Sequence, residues 1–308
     1  VLAMVCRSVA SRAYGGGSWP SSSPGMVKER TSEMYNKITL LGNAQDAGRP
    51  QFGCSNNCCE DARKDKNLAR MPVSLGLHGN EFGMVEATRC IGDQLALAGN
   101  PRISDLWLTH AHLGHIEGLG QFGRESINLK NVRLHCSESV LGYVNNHPIW
   151  QKLFDRGNLS VASFASDAVI PIEVPHRARD FDTHALLFRG ISANLLFLPD
   201  HDTWGATLSS IEHDSPRAWF QSIDADIILL DGTFWDDNEL KNRVQTNVPH
   251  PPVSQSLEIL GNRQDDDPRI VFIHLNHTNP LHYPDSEQYQ QVQEMGWEVG
   301  VEGMEFEL

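Results

Sequence analysis

The chain contains 308 residues, and its 25 Lys and Arg against 39 Asp and Glu give a formal net charge of −14 at pH 7. With 40% hydrophobic and 21% charged residues, the composition is typical of a globular protein and excludes disordered and fibrous classes. No apolar run approaches the ~18–20 residues of a membrane span, and an acidic chain is poorly suited to sequence-independent binding of phosphates in nucleic acids. We therefore expect neither a membrane nor a nucleic acid partner, and a homodimer stays open.

The N-terminal segment differs in composition from the rest of the chain. Residues 1–31 are rich in Gly and Ser and show no hydrophobic periodicity, which predicts a flexible leader over residues 1–35 and one domain over residues 36–308. The opening VLAMVC, ending at Cys6, resembles a lipoprotein cleavage site, but its apolar run of about five residues is shorter than the roughly 7–15 of an export signal. We expect a cytoplasmic location, where thiols stay reduced, with export as the alternative.

Apolar periodicity predicts the following elements in chain order. The first half contains a strand at Asn36–Leu41, a helix at Glu60–Arg70, strands at Pro72–Leu77 and Gly83–Thr88, a helix at Cys90–Leu97, and strands at Leu106–Thr109 and Val132–Cys136. The second half contains strands at Ala168–Val174, His184–Phe188, Ala193–Leu198 and Asp226–Leu230, a helix at Pro252–Leu260, a strand at Arg269–Leu275, a helix at Ser286–Met295, and a hairpin of Trp297–Val301 and Met304–Phe306 around Gly303. Interleaved strands and helices favour helices packed outside sheets.

Three histidines follow a predicted buried strand in the segment THAHLGH. In an extended segment, residues two positions apart point the same way, so His110 and His112 are expected to converge on one ion. If the chain then turns into a helix, His115 lies close by. Three imidazoles at this spacing suit zinc, iron or another borderline transition metal, whereas unrelated surface or core histidines are the alternative.

Three of the six cysteines, Cys54, Cys58 and Cys59, fall within six positions. This spacing predicts a metal knuckle rather than three disulfide bridges, because six cysteines in a chain of this length do not form a disulfide scaffold. A tetrahedral structural zinc site needs a fourth ligand, and a reduced cluster with buried thiols is the alternative.

The segment THAHLGH resembles the HxHxDH signature of the metallo-β-lactamase superfamily, with Gly114 where an Asp is expected. Further motifs resemble the branch of that superfamily related to the coenzyme PQQ synthesis protein B, and they are LGNAQDAGRPQFGC, LFLPDHDTW, LLDGTFWDDNEL, NVPHPPV, VFIHLNHTNPL and EVGVEGMEFEL. The resemblance implies an α/β (α+β) fold, a four-layered αβ/βα sandwich in a single domain, with a metal site at one edge of two sheets.

The resemblance also implies ligands for two active-site ions. One ion would be held by His110, His112 and His176, and the other by His115, Asp200 and His274, with Asp200 bridging both. Because Gly114 has no ligand atom, we expect one firmly held ion and a second that is weaker or differently filled. Asp202 and His201 are the candidates for supplying the ligand that is missing at Gly114.

Relatives with a similar cysteine knuckle imply a fourth ligand for that site, and the sequence positions of two other residues make them candidates for the active site. His277, three positions after His274, would close the cysteine site as its fourth ligand. Asp231 ends a buried strand and is a candidate for orienting a metal-binding histidine, with a turn-capping role as the alternative. His250 lies in a proline-rich loop and is a candidate for contact with the substrate.

These residues predict hydrolytic chemistry. A metal held by neutral imidazoles lowers the pKa of bound water to ~7, so hydroxide is available at neutral pH, and Asp200 would orient it. The leading hypothesis is a hydrolase that uses a metal-bound hydroxide on an ester, lactone, amide or phosphodiester bond of a small molecule. We expect Zn²⁺ in both the structural and the active site, with Fe²⁺ or Mn²⁺ as alternatives in the active site.

Two other functions stay open. His115, Asp200 and His274 form the two-histidine, one-carboxylate set of non-haem Fe(II) oxygenases, and a missing carboxylate at Gly114 would leave positions for O₂. Resemblance to the PQQ branch supports an oxygenase or hydroxylase related to PQQ biosynthesis. The third function is a non-catalytic carrier of a quinone-like small molecule.

Overall fold

A computed structural model describes residues 35–240 and 248–308. The predicted leader over residues 1–35 lies almost entirely outside this part, so the leader and its boundary with the domain stay predictions. Within the described residues, no helix combines the length and the apolar character that crossing a membrane requires.

The first sheet has seven strands in the order β13-β1-β2-β3-β4-β5-β6. Their bounds are β1 Lys37–Gly42, β2 Ser74–His78, β3 Phe82–Val85, β4 Ile103–Trp107, β5 Val132–His135, β6 Leu159–Val161 and β13 Glu305–Glu307. The pairs from β3 to β6 are parallel, and those from β13 to β3 are antiparallel.

The second sheet has six strands in the order β12-β11-β10-β9-β8-β7. Their bounds are β7 Val169–Glu173, β8 His184–Arg189, β9 Asn194–Leu198, β10 Ile227–Asp231, β11 Arg269–Ile273 and β12 Glu298–Val299. Strands β9 to β12 are parallel, whereas β7 and β8 are antiparallel to their neighbours.

The described helices flank these sheets. They are α1 Asn57–Lys64, α2 Ile91–Leu97, α3 Leu113–Ile116, α4 Glu138–Asn145, α5 Pro148–Asp155, α6 Trp204–Ser210, α7 Pro216–Ser222, α8 Val253–Leu260 and α9 Glu287–Glu294. Several begin with a side-chain cap that satisfies a free backbone N–H. The Ser137 hydroxyl, for example, accepts from the backbone N–H of Val140 in α4, and the Ser215 hydroxyl accepts from that of Ala218 in α7.

Side-chain alternation along the central strands separates three apolar layers. In β10, Ile227 and Leu229 face the core between the two sheets, while Ile228 and Leu230 face α6 to α9. A third cluster covers the outer face of the first sheet with α2 to α5. The layers follow the order helices, sheet, sheet and helices, and each sheet buries both of its faces. This arrangement confirms the predicted four-layered αβ/βα sandwich.

The predicted C-terminal hairpin is wrong. Strands β12 and β13 do not pair with each other, since Glu298–Val299 runs parallel to β11 and Glu305–Glu307 runs antiparallel to β1. The turn around Gly303 therefore carries the chain from one sheet to the other. Hydrophobic alternation alone does not distinguish this crossover from a hairpin.

Candidate metal centre

The predicted ligands lie where strands end at one edge of the sandwich. His110 follows β4, Asp200 follows β9, Asp231 ends β10 and His274 follows β11. Because β9, β10 and β11 are parallel, their carboxyl ends share one edge, so residues far apart in sequence meet there.

The first donor set is His110, His112 and His176. Their ligand atoms lie within 4.8 Å of one another, and His110 Nε2 is 2.9 Å from His112 Nδ1. Burial and the charge of His176 lower the pKa of His112 to about 4. The imidazole is therefore neutral at pH 7, which is the form that binds a metal.

The second donor set is His115, His274 and Asp46, again within 4.8 Å of one another. Asp46 Oδ1 is 3.3 Å from His115 Nε2 and 3.7 Å from His274 Nε2. Burial raises the pKa of Asp46, but the adjacent imidazoles of His115 and His274 outweigh this effect and hold the pKa well below its usual value. Asp46 is thus a carboxylate at neutral pH.

Asp200 lies between the two sets. Its oxygens are 3.4 Å from His115 Nε2, 3.7 Å from His176 Nε2 and 3.8 Å from His274 Nε2. Asp200 is buried, and its Oδ2 has no hydrogen-bond partner among the described residues, nor has Nε2 of His274. Buried polar atoms are normally paired, so these atoms fit a divalent cation as their partner.

Asp46 was not predicted from the sequence. The compensating residues proposed for Gly114 lie elsewhere, because Asp202 contacts Nδ1 of His176 at 3.2 Å and His201 Nδ1 pairs with the Thr207 hydroxyl at 2.8 Å. The sequence shows an acidic residue in the loop after β1, but no local pattern relates that loop to the histidine motif, so Asp46 could not be identified as a ligand from the sequence.

The imidazoles are oriented through their second ring nitrogens. These contacts join Thr109 Oγ1 to His110 Nδ1 at 2.9 Å, Glu86 Oε1 to His115 Nδ1 at 3.4 Å, and Thr233 Oγ1 to His274 Nδ1 at 2.8 Å. The contacts from Thr109 and Thr233 are hydrogen bonds that fix the tautomer and leave Nε2 free for a metal, whereas Nδ1 of His115 has no hydrogen-bond partner among the described residues.

Glu86 is a buried carboxylate that the sequence analysis also missed. Both Glu86 and His274 have positive φ, 67° and 61°, a backbone conformation that non-glycine residues rarely adopt. Strain of this kind is concentrated at functional sites, where surrounding structure compensates for it.

A histidine and an aspartate form a hydrogen-bonded pair beside the two donor sets. His250 Nδ1 donates to Asp231 Oδ2 at 2.7 Å, and the His250 ring centroid is 5.2 Å from that of His176. Burial lowers the pKa of His250, but the Asp231 carboxylate outweighs this and raises it. The ligand atoms of His250, His176 and Asp200 also lie within 4.8 Å of one another, so His250 is a candidate metal ligand as well as the partner of Asp231.

Comparison with known proteins agrees with this geometry. Coenzyme PQQ synthesis protein B from Xanthomonas euvesicatoria is 26% identical over 322 aligned residues, covering 88% of the chain and 100% of that protein. The protein of the same name from Methylococcus capsulatus is also 26% identical, with 88% and 99% covered. No family model matches the chain.

Solved structures share the architecture. Zn²⁺-bound PqqB from Methylobacterium extorquens matches with a TM-score of 0.71 at 19% identity, covering 88% of this chain and 100% of that one. A diphosphatase from the PhnP family matches with a TM-score of 0.63 at 18% identity, with 89% and 98% covered. Human tRNase Z, short form, matches with a TM-score of 0.53 at 13% identity, with 88% and 98% covered.

The chain has the metallo-β-lactamase fold. Its sequence resembles PqqB over most of its length, as the ordered motifs predicted. In this fold, the two donor sets described above lie at the strand ends where the resemblance implied a metal site. The protein thus contains candidate metal-binding clusters of His and Asp.

The predicted cysteine knuckle forms a second candidate metal site. Ligand atoms of Cys54, Cys58, Cys59 and His277 are all within 4.8 Å of one another. Cys58 Sγ is 3.9 Å from Cys59 Sγ, close to the ~3.8 Å edge of a tetrahedron with zinc–sulfur bonds of about 2.3 Å. Burial and the neighbouring Cys59 raise the pKa of the Cys58 thiol to about 12, so a cation is needed to hold the thiolate.

Proposed function

We propose that this protein is a metal-dependent hydrolase that cleaves an ester, lactone, amide or phosphodiester bond of a small molecule. The observation that carries the proposal is the convergence of two donor sets on the carboxylate of Asp200, whose oxygens lie 3.4 to 3.8 Å from histidines of both sets, with the His250–Asp231 pair beside them. A cation held there would polarise the scissile carbonyl or phosphoryl group and acidify a water molecule.

The side chains supply the remaining steps. Asp200, buried between the donor sets, would orient the attacking water and accept its proton. His250 donates through Nδ1 to Asp231, so its Nε2 would carry the proton that protonates the leaving group. Asp231 is the positioning residue, because it fixes the orientation of the His250 ring.

Zinc is the proposed ion in both sites. The histidine sets and the three cysteines with His277 are ligand types that zinc prefers, and Mn²⁺ or Fe²⁺ remains an alternative in the active site. The diphosphatase and tRNase Z among the structural neighbours make a phosphodiester the first substrate class to test. A cytoplasmic location remains part of this proposal.

The oxygenase hypothesis has less support in the structure. It assumed that the second site presents two histidines, one carboxylate and open positions. However, His115 and His274 face two carboxylates, Asp46 and Asp200. A second anionic donor occupies one of the positions that O₂ would need. No described contact specifically favours the carrier hypothesis.

The test uses the full chain purified with Zn²⁺ and, separately, under anaerobic conditions with Fe²⁺. Wild type is assayed against bis-p-nitrophenyl phosphate, p-nitrophenyl acetate and a lactone, alongside His176→Ala. We expect turnover with Zn²⁺ that the variant loses by at least about 10²-fold, because loss of a ligand should cost no less than the 10–100-fold caused by loss of a ligand's outer partner. Oxygen consumption by the iron form without hydrolysis by the zinc form would contradict the proposal.

A further inference from the structure

Gly114 lies inside the histidine motif but contributes no side chain to the metal centre. The three atoms nearest to a Cβ built on Gly114 all belong to Asp46, and the overlap is severe. The Asp46 carboxyl group therefore occupies the volume that a side chain at position 114 would enter.

The Asp46 carboxylate is also placed as a ligand would be. Its Oδ1 is 3.3 and 3.7 Å from Nε2 of His115 and His274, and the Asp200 oxygens approach the same two atoms at 3.4 and 3.8 Å. Ligand atoms around an ion with bonds of ~2.0–2.2 Å are about 3.4 Å apart in tetrahedral geometry. Asp46 reaches both nitrogens near this spacing through Oδ1 alone, whereas Asp200 approaches His115 through Oδ2 and His274 through Oδ1.

Backbone pairing holds the loop that carries Asp46. Leu275 N donates to Asn43 O at 2.8 Å, and Gln45 N donates to Leu275 O at 2.9 Å, so the loop runs parallel to the segment after β11. Gly48 then closes a turn, with its N–H on Gln45 O at 2.7 Å. Because Leu275 directly follows His274, this pairing places Asp46 next to the His274 side chain.

We infer that Asp46 is the carboxylate ligand of the second ion, in place of a side chain at position 114. This inference rests on the proposed metal-dependent function. The donor is supplied by the loop after β1 rather than by the histidine motif. The second site then contains His115, His274, Asp200 and Asp46. The sequence-based expectation of a weak second site assumed that this donor was missing.

The decisive experiment counts retained ions. Full-length wild type and Asp46→Asn are loaded with Zn²⁺, dialysed against a mild chelator and analysed by plasma mass spectrometry. We expect one ion fewer per chain in Asp46→Asn, with affinity for that ion reduced at least about 10–100-fold, the loss that even outer partners of a ligand cause. Asp93→Asn, an exposed acid-to-amide change in α2, is the control and should keep the wild-type count.

A relocation variant tests position rather than charge. Removing the Asp46 side chain frees the volume beside Gly114, so Asp46→Gly combined with Gly114→Asp should restore the ion that Asp46→Asn loses. Far-ultraviolet circular dichroism and thermal unfolding establish that each variant is folded before ions are counted.

The outcomes separate this inference from the proposed function. If Asp46→Asn retains the wild-type number of ions with unchanged affinity while wild type hydrolyses its substrates, the assignment of Asp46 is wrong and the hydrolase proposal stands. If Asp46→Asn loses one ion and the relocation variant regains it, but wild type hydrolyses nothing, the assignment stands and the hydrolase proposal fails.

Discussion

Asp231 accepts hydrogen bonds from four donors although it is completely buried. Its Oδ2 accepts from His250 Nδ1 at 2.7 Å and His201 N at 3.2 Å, and its Oδ1 accepts from the N–H and hydroxyl of Thr233 at 3.0 and 2.7 Å. A carboxylate held by this many donors has one orientation, and so does the imidazole bound to it. His250 is therefore held in place before any substrate binds.

Replacing His250 with Gln should lower kcat for hydrolysis by about 10²–10⁴-fold, because the general acid is lost. The number of bound ions should not change, since in our assignment His250 is not a ligand. Steady-state kinetics and metal analysis measure both effects. His213→Gln is the control, because the exposed contact of His213 with the Ser222 hydroxyl lies outside the donor sets. Loss of an ion in His250→Gln would show that His250 is a ligand instead.

Glu302 provides a pH-dependent test of stability away from the metal centre. Burial raises its pKa to about 7, from 4.5 in the unfolded chain. Between these values the folded state binds more protons than the unfolded state, so this residue lowers stability as pH rises from 4.5 through 7.

Glu302→Gln cannot ionise and should match wild type in stability near pH 4.5, then exceed it by roughly 1–3 kcal/mol at pH 8. Urea unfolding at several pH values measures the difference. Glu307→Gln changes an exposed carboxylate and should show no such trend. A gain for Glu302→Gln that is independent of pH would contradict the assignment.

At the scale of elements, the segment after β11 contributes residues to both candidate metal sites. His274 faces Asp46 and Asp200, and three residues later His277 Nδ1 lies 3.4 Å from Cys59 Sγ. Asn279 closes this segment by donating to the carbonyls of Gly232 and Thr233. The cysteine helix α1 is thereby linked to the end of the active-site strand.

Cys59→Ser should release one zinc ion, leave the active-site ions in place and lower Tm. Metal binding contributes to the folding free energy, and each kcal/mol lost lowers Tm by roughly 2–4 °C in a domain of about this size. Zinc analysis and calorimetry are the measurements. Cys90→Ser, a half-buried thiol outside the cluster, should keep the zinc content. Unchanged zinc in Cys59→Ser would rule out the structural site.

At the scale of the whole molecule, the two sheets share one apolar core. Leu229 of β10, Phe197 of β9 and Leu40 of β1 belong to this core and are completely buried. The metal ligands lie on loops from both sheets, so their separation depends on how the sheets pack. Truncating the core should therefore reduce the stability of the sandwich as a unit.

Leu229→Ala should lower the free energy of unfolding by about 2–5 kcal/mol, because it removes buried methylene groups and leaves a cavity between the sheets. Urea unfolding followed by fluorescence and circular dichroism should give coincident transitions. Ile191→Ala, whose side chain is 86% exposed, should change stability by less than about 0.5 kcal/mol. Equal effects of the two changes would contradict the layered core.

Local sequence signals predicted the strands closest to the centre with small errors at their ends. The apolar runs DIILL and RIVFIHL became β10 and β11, and THAHLGH lies directly after β4. The helix predicted at Glu60–Arg70 is instead α1, Asn57–Lys64, and it ends where Asp65 adopts an extended backbone. Polar composition indicates a helix but does not determine its ends.

Apolar periodicity in the sequence determined most of the strands, and ligand spacing determined the cluster of His110, His112 and His115, because both are local properties. The four layers and the ligands His176 and His274 were instead expected from the resemblance to the metallo-β-lactamase superfamily. Only the tertiary structure decided that Asp46 stands beside Gly114, that Glu86 lies beneath His115, and that the last two strands belong to different sheets. Each of these facts depends on pairing between segments remote in the chain. Such pairing is set by the burial and hydrogen bonding of the whole sandwich, which no short stretch of residues encodes.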